Sequence, residues 1–243
     1  MPGTAPDPDA ESPRAASSLR APWFHVSCCP TNVARTLASL AAYVATADDG
    51  GIQLHQLVPC TVRSGAVSLR VRTGYPWSAE VVVRVEESGA APWRLSLRVP
   101  AWAGEAVLVD RGRRRPVQPG YAVVDAAWRP GDEVRLELPM TPRWTRPDPH
   151  VDAVRGCVAA ERGPIVYCLE STDQEPGVSL NEVCADASDA LAEQGTDEAL
   201  GGATVLAAGG ARFDGEGARL TFIPYHAWGN RGLSTMRVWV PER

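Results

Sequence analysis

Two adjacent cysteines, Cys28 and Cys29, have the greatest capacity for chemistry in this chain. Pro30 follows them, and proline is favoured at the first position of a helix because its missing N–H would be unpaired there anyway. Beyond it, apolar residues recur at helical spacing, at positions 33, 37, 40, 41 and 44. The thiols are therefore predicted at or just before a helix N-terminus, where the partial positive charge lowers a thiol's pKa. The resulting thiolate is both a nucleophile and a soft metal ligand.

The cysteine pair taken alone leaves a plainer alternative open. A cysteine outside a disulfide is often a small buried hydrophobic residue, and adjacent cysteines do not easily reach disulfide geometry. The other four cysteines stand at positions 60, 157, 168 and 184. They follow no zinc-finger or Cys-x-x-Cys spacing and are too sparse for a disulfide scaffold, so reduced thiols in a cytoplasmic protein fit best.

A series of motifs accompanies the pair in a fixed order. They are Trp23-Phe24, Cys28-Cys29-Pro30-Thr31-Asn32 with Arg35, Gly74-Tyr75-Pro76-Trp77, and the segments 95–102, 128–132, 161–170, 224–232 and 236–239. This series resembles glycoside hydrolase family 127, the beta-L-arabinofuranosidase family, over roughly residues 20–240. The resemblance is to the C-terminal portion of such an enzyme only.

The resemblance implies specific roles for the two cysteines. Cys28 corresponds to the nucleophile of a retaining mechanism and to a zinc ligand, and Cys29 corresponds to a second zinc ligand. The other zinc ligands and the general acid/base glutamate lie upstream in the family, in a helical barrel. Only 27 residues precede Cys28, and none of them is a cysteine. We therefore expect an incomplete zinc ligand set and no activity from this chain alone; the substrate-binding residues are unknown.

Composition narrows the class of protein. With 44% hydrophobic and 22% charged residues, the 243-residue chain is typical of globular proteins. A net charge of -5 argues against a nucleic-acid partner. No apolar run reaches the length of about 18 residues that a membrane span requires. Residues 1–22 lack the apolar centre of a secretory signal, and we expect them to be a disordered tail.

The apolar pattern predicts a mainly β fold. Helical spacing over 31–46 gives way to alternation after Gly50-Gly51, and Gly and Pro turns then recur at near-regular intervals, as in β-sandwiches. Strands are predicted at 52–58, 67–72, 80–86, 93–99, 105–109, 120–125, 132–138, 153–160, 165–169, 203–207, 218–223 and 235–240.

The predicted domains follow from these elements and from a proline cluster at 139–149. Residues 23–50 form the end of a catalytic helical barrel, 51–144 a middle β-sandwich and 145–243 a C-terminal β-sandwich. The fold is thus two consecutive β-sandwiches preceded by one helix left over from an (α/α)6 barrel. Residues 171–202 carry eight acidic and no basic residues. They are predicted to be a mobile surface loop, with a calcium site as the alternative.

Three other residues have two interpretations each. Asn230 and Arg231 could bind sugar, but an arginine in a turn more often has a structural role, which we favour. His25 could be a ligand or a substrate contact, although one histidine among aromatic residues is more often a packing residue.

Three functional hypotheses remain from the sequence. In the first, the chain is the C-terminal part of a retaining, zinc-dependent glycoside hydrolase whose partner is an arabinofuranoside-type carbohydrate. In the second, it is a non-catalytic β-sandwich accessory or carbohydrate-binding module. In the third, it is a thiol–metal or redox protein that uses Cys28 and Cys29 alone. The sequence does not decide whether this chain alone is an enzyme, nor its oligomeric state.

Overall fold

The structure is a computed structural model, and it describes residues 28–243. The predicted tail, with Trp23, Phe24 and His25, lies outside the described residues. The described part forms two compact units, which divide between Met140 and Thr141. The sequence places this division near residue 145. Within residues 28–243, no helix has the length and apolar character needed to cross a membrane.

The first unit begins with its one described α-helix and continues as strands. The elements are α1 (Cys28–Ser39), a 3-10 helix (Leu40–Tyr43), β1 (Ala45–Asp48), β2 (Gly51–Leu54), β3 (Cys60–Ser64), β4 (Val67–Thr73), β5 (Glu80–Glu87), β6 (Trp93–Val99), β7 (Ala106–Asp110), β8 (Arg113–Val117), β9 (Gly120–Ala126) and β10 (Glu133–Glu137).

These strands form two sheets that share one core. The four-stranded sheet has the order β1-β2-β6-β9, and the six-stranded sheet has the order β3-β4-β5-β10-β7-β8. Alternate residues of each strand point inward. Leu54 and Leu97 from the first sheet therefore join Leu69, Leu108 and Leu136 from the second in a single buried cluster. The predicted β-sandwich is confirmed.

The prediction that the helix extends to residue 46 is wrong. Helix α1 ends at Ser39, and β1 and β2 pair as an antiparallel hairpin with residues 48–51 at its turn. The Asp48 carboxylate accepts hydrogen bonds from the backbone N–H groups of Gly50 and Gly51. Aspartate followed by glycine favours a hairpin turn as strongly as a helix end, and the pairing of residues 45–48 with 51–54 makes it a hairpin turn here.

The apolar stripe of α1 and the 3-10 helix does not contribute to this core. Val33, Leu37, Leu40 and Tyr43 are 44–66% exposed, and no side chain of residues 29–43 is buried. Apolar residues at this spacing normally mark the side of a helix that packs against other elements. Within the described residues this side is exposed to solvent.

The second unit is built from strands with short 3-10 helices between them. The strands are β11 (Pro142–Thr145), β12 (Cys157–Arg162), β13 (Ile165–Glu170), β14 (Val183–Ala185), β15 (Ala192–Asp197), β16 (Ala203–Arg212), β17 (Gly217–Pro224), β18 (Met236–Arg237) and β19 (Val240–Pro241). The main path of the sheet is β11-β12-β13-β17-β16-β14, and β15, β18 and β19 pair with β16, β13 and β12. Tyr167, Leu206 and Phe222 lie at its buried centre.

The prediction that residues 171–202 form a mobile surface loop is wrong. It contains β14 and β15, both paired antiparallel with β16. Its apolar residues Leu180, Val183 and Leu191 are buried in the core of the unit. The acidic side chains lie between these buried positions, so the charge of the segment concealed a strand pattern in the sequence.

Candidate functional site

The two candidate cysteines are the first two residues of α1. The helix begins at Cys28, which confirms the predicted position at a helix N-terminus. Pro30 is the third helical residue, where its missing N–H removes no intrahelical hydrogen bond. The first turn contains no acidic residue. The helix N-terminus, where the partial positive charge of a helix lies, therefore has no carboxylate in its first turn.

Exposure distinguishes this site from the other described thiols. Cys29 is exposed, whereas Cys168 is fully buried. The thiol of Cys184 donates a hydrogen bond to the Ala211 carbonyl at 3.3 Å. Burial raises the pKa of Cys60 and so disfavours its thiolate. Cys29 is thus the thiol of residues 29–243 most accessible to a substrate, a metal or a reagent.

The described residues do not complete a zinc site. Structural zinc sites use four ligands, and the sequence predicts only two of them, Cys28 and Cys29. Among the side chains of residues 29–243, no three from His, Cys, Asp or Glu are grouped as a metal site would require. His25 and the side chain of Cys28 lie outside what the structure describes. The described residues therefore do not fit a zinc ion without further ligands.

Arg231 is held in an ion-pair network of the second unit. Its guanidinium donates to both oxygens of Asp173 at 2.6–2.7 Å and to Glu170 Oε2 at 2.5 Å. Asn230 donates from Nδ2 to the Ala227 carbonyl at 3.0 Å. These contacts give both residues a structural role in the loop 225–235, as the sequence interpretation favoured.

Glu170 is the centre of this network and was missed by the sequence analysis. The side chain is fully buried, and its Oε1 accepts the Gly229 N–H at 2.9 Å and the Ser234 hydroxyl at 2.5 Å. Burial raises its pKa, but the hydrogen bonds from Ser234, Gly229 and Arg231 outweigh burial and hold the pKa below its usual value. The available signal was a glutamate that directly follows the apolar run 165–169.

Part of the Gly74-Tyr75-Pro76-Trp77 motif also has a structural role, through the packing of Tyr75. It lies between β4 and β5, and the peptide bond before Pro76 is cis. The rings of Tyr75 and Trp102 are stacked, with centroids 6.5 Å apart and an angle of 8° between their planes. Two motifs far apart in the sequence therefore lie side by side in the first unit, packed against its core.

Comparison with known proteins decides the family. Residues 51–140 match the family profile "Beta-L-arabinofuranosidase, GH127 middle domain", and residues 142–241 match "Glycoside hydrolase family 127 C-terminal domain". The chain belongs to glycoside hydrolase family 127. Its two compact units are the middle and C-terminal domains of that family, and α1 with the cysteine pair precedes the middle domain.

The relatives of this family 127 chain are longer proteins. It is 33% identical to a non-reducing end beta-L-arabinofuranosidase of Bifidobacterium longum subsp. longum over 256 residues, which cover 91% of this chain and 38% of the relative. The solved GH127 beta-L-arabinofuranosidase Ara127N-Se from Geobacillus stearothermophilus T6 is 30% identical with a TM-score of 0.83, covering 97% of this chain and 40% of that one. Another solved structure, a GH127 beta-arabinofuranosidase, is 27% identical with a TM-score of 0.80, covering 93% and 40%. The chain thus spans about two fifths of each relative.

Proposed function

We propose that this chain contributes the nucleophile to a retaining glycoside hydrolase that acts on beta-L-arabinofuranosides. The observation that carries the proposal is the position of Cys28 and Cys29 in the first turn of α1, immediately before a family 127 middle domain. Two of the relatives are beta-L-arabinofuranosidases by name. A helix N-terminus favours a thiolate, which is the reactive form of a cysteine nucleophile.

The proposed reaction has two steps at the anomeric carbon. The Cys28 thiolate attacks this carbon and forms a C–S bond, while the glycosidic C–O bond breaks and the leaving oxygen takes a proton from a general acid. Water then displaces the thiolate and gives its proton to the same group. Two displacements restore the original configuration, so the sugar is released with retention.

The general acid/base must come from outside this region of the chain. Residues 28–44 contain no aspartate or glutamate. Likewise, we propose that Cys28 and Cys29 are two ligands of a zinc ion whose other ligands are supplied from elsewhere. When bound, the zinc ion would stabilise the thiolate form of both cysteines.

The exposed stripe of α1 supports the need for a further part of the protein. Val33, Leu37, Leu40 and Tyr43 form an apolar surface that the described residues leave uncovered. The relatives have about three fifths of their length outside the match, which is enough chain to cover this surface. We propose that the part of the protein corresponding to this unmatched length packs on α1 and brings the general acid/base to Cys28.

A chimera tests the proposal. Residues 23–243 are joined to the part of the Geobacillus stearothermophilus T6 enzyme that the match does not cover, and hydrolysis of an aryl beta-L-arabinofuranoside is measured. We expect hydrolysis by the chimera and none by the 243-residue chain alone. Cys28→Ser should abolish the hydrolysis, whereas Cys184→Ser, a matched change of a thiol in the second unit, should leave it intact. An active Cys28→Ser chimera would refute the proposal.

The second candidate is a binding module without catalysis. It is favoured by the two compact units, each of which has its own buried core. A stably folded chimera that binds the glycoside but does not hydrolyse it would support this candidate over the hydrolase.

A further inference from the structure

The outer face of β3, β4 and β5 carries four arginines. They are Arg63 on β3, Arg70 and Arg72 on β4, and Arg84 on β5. Residues two apart on a strand share a face, and Arg70 lies directly opposite Arg84 in the β4–β5 register. The guanidinium-bearing side chains of Arg70, Arg72 and Arg84 are 48–56% exposed. We call these four residues the arginine face.

Two carboxylates, those of Glu86 and Glu133, lie among the four guanidinium groups. Glu86 accepts two hydrogen bonds from Arg70, at 2.5 and 3.2 Å. The same carboxylate lies in the field of Arg63 and Arg84, and these arginines, Arg70 first, hold its pKa below the usual value. Glu133 is shared between two arginines of this face, with Arg72 at 3.1 Å and Arg84 at 3.8 Å.

The arginine face is therefore under-neutralised. Each guanidinium has five N–H donors, and sharing a carboxylate leaves most of them directed to solvent. The chain as a whole carries a net charge of -5, so the clustering of four arginines on one sheet face is a local feature and not a consequence of composition.

The same face is concave. Two open depressions of about 450 and about 480 Å³ adjoin on it, and both are lined by Arg70 and Arg72. Arg84 and Glu86 line the first depression together with the backbone turn at Pro130 and Gly131. Volumes of ~300–1,000 Å³ are typical of small-ligand sites. Arginine is the residue best suited to bind a carboxylate through two parallel hydrogen bonds.

We propose that the arginine face binds the carboxylate of an acidic sugar unit, a uronate, within a polysaccharide. The guanidinium groups of the arginine face bind the carboxylate, and the first depression holds the sugar ring beside it. The proposal takes from the proposed function only the choice of a saccharide as the molecule that carries the carboxylate. It concerns binding by this chain and includes no hydrolysis.

The test compares two ligands that differ only in charge. The complete 243-residue chain is run on native gels that contain polygalacturonate or the same polymer fully methyl-esterified, at pH 7 and low salt. We expect retardation by the acid and none by the ester. Equal retardation by the ester would show recognition of a neutral sugar and would overturn the proposal. The same follows if inorganic phosphate releases the chain far better than chloride at equal ionic strength, because the site would then be a phosphate site.

Matched variants separate a site from general ion exchange. Arg72→Ala should weaken the retardation several-fold. Arg114→Ala removes the same charge from the same sheet, but Arg114 pairs with Glu137 and lines neither depression, so it should have no effect. Equal weakening by both variants would overturn the proposal.

A carboxylate variant gives a prediction of opposite sign. Glu86→Gln releases Arg70 from its partner and should strengthen binding by ~2–5-fold, the weight of an exposed ion pair. The matched control Glu137→Gln should leave binding unchanged. An unchanged or weaker retardation of the Glu86→Gln chain would contradict the proposal. None of these outcomes depends on hydrolysis, so the hydrolase proposal stands or fails separately.

Discussion

Replacing Glu170 with glutamine is expected to destabilise the second unit markedly. Glutamine keeps the size of the side chain and one carbonyl oxygen, which can still accept the N–H of Gly229 and the hydroxyl of Ser234. Its NH2 group, however, would face the guanidinium of Arg231, so a charge-assisted hydrogen bond is lost and a donor is left buried against a donor. Asp173 still pairs with Arg231 and limits the loss. We expect a cost of ~2–3 kcal/mol in the free energy of unfolding.

The assay must report on the second unit alone, because the two units need not unfold together. Hydrogen exchange followed by mass spectrometry provides this through peptides that cover β13 and β17. Glu193→Gln is the control, since it breaks an exposed ion pair of the same unit, with Arg162, and should therefore cost little. A cost for Glu170→Gln no larger than that of the control would refute the assigned role of the network.

The stability difference between the wild-type chain and Glu170→Gln should also depend on pH, with a definite sign. The folded state holds the pKa of Glu170 below its usual value. The carboxylate therefore stabilises the folded state above the unfolded pKa, about 4.3 for glutamate. This contribution is lost as the pH falls through the lower folded pKa. The difference in stability between the wild-type chain and Glu170→Gln should be full at pH 7 and shrink at increasingly acidic pH; a difference that grows on acidification would contradict the account.

Three further predictions follow from exposure and close contact. A thiol alkylator at neutral pH should label the Cys28-Cys29 pair before the buried Cys168, as read by peptide mass spectrometry; equal rates would remove the case for an activated thiol. Leu37→Glu should change the stability of the isolated chain by less than ~0.5 kcal/mol, because Leu37 is 66% exposed, yet reduce chimera activity by ~10-fold or more. Gly51→Ala should cost at least ~2 kcal/mol in urea unfolding, because φ is 145° and the new Cβ would lie 1.9 Å from the Arg94 carbonyl oxygen. Gly104→Ala, where no atom lies within 4 Å, is its matched control and should be near neutral.

The alternation of apolar residues was sufficient to predict most strands. Strands β4, β5 and β6 begin where the sequence places them, because each buries every second residue in one core. Six strands were missed: β1, β3, β8, β11, β14 and β15. Four of the five residues of β8 are exposed, so its apolar alternation is nearly absent and its pairing with β7 is what defines it.

Only part of the candidate site could be predicted from the sequence. The first turn of α1 was predictable because a proline after Cys28 and Cys29 and the apolar spacing that follows are local signals. The network around Glu170 was not, since its partners lie about 60 positions away and meet only when β13 and β17 pair. The depressions beside Arg70 and Arg72 likewise depend on the pairing of three strands.

The most direct test of the central claim is to trap the sugar on the nucleophile. The chimera is mixed with an aryl beta-L-arabinofuranoside, quenched in acid within one turnover, digested and analysed by peptide mass spectrometry. The account predicts that the peptide containing Cys28 gains one arabinosyl group through sulfur and that Cys28→Ser abolishes this adduct. An arabinosyl group found on a carboxylate, or hydrolysis that proceeds at the wild-type rate in Cys28→Ser, would contradict it.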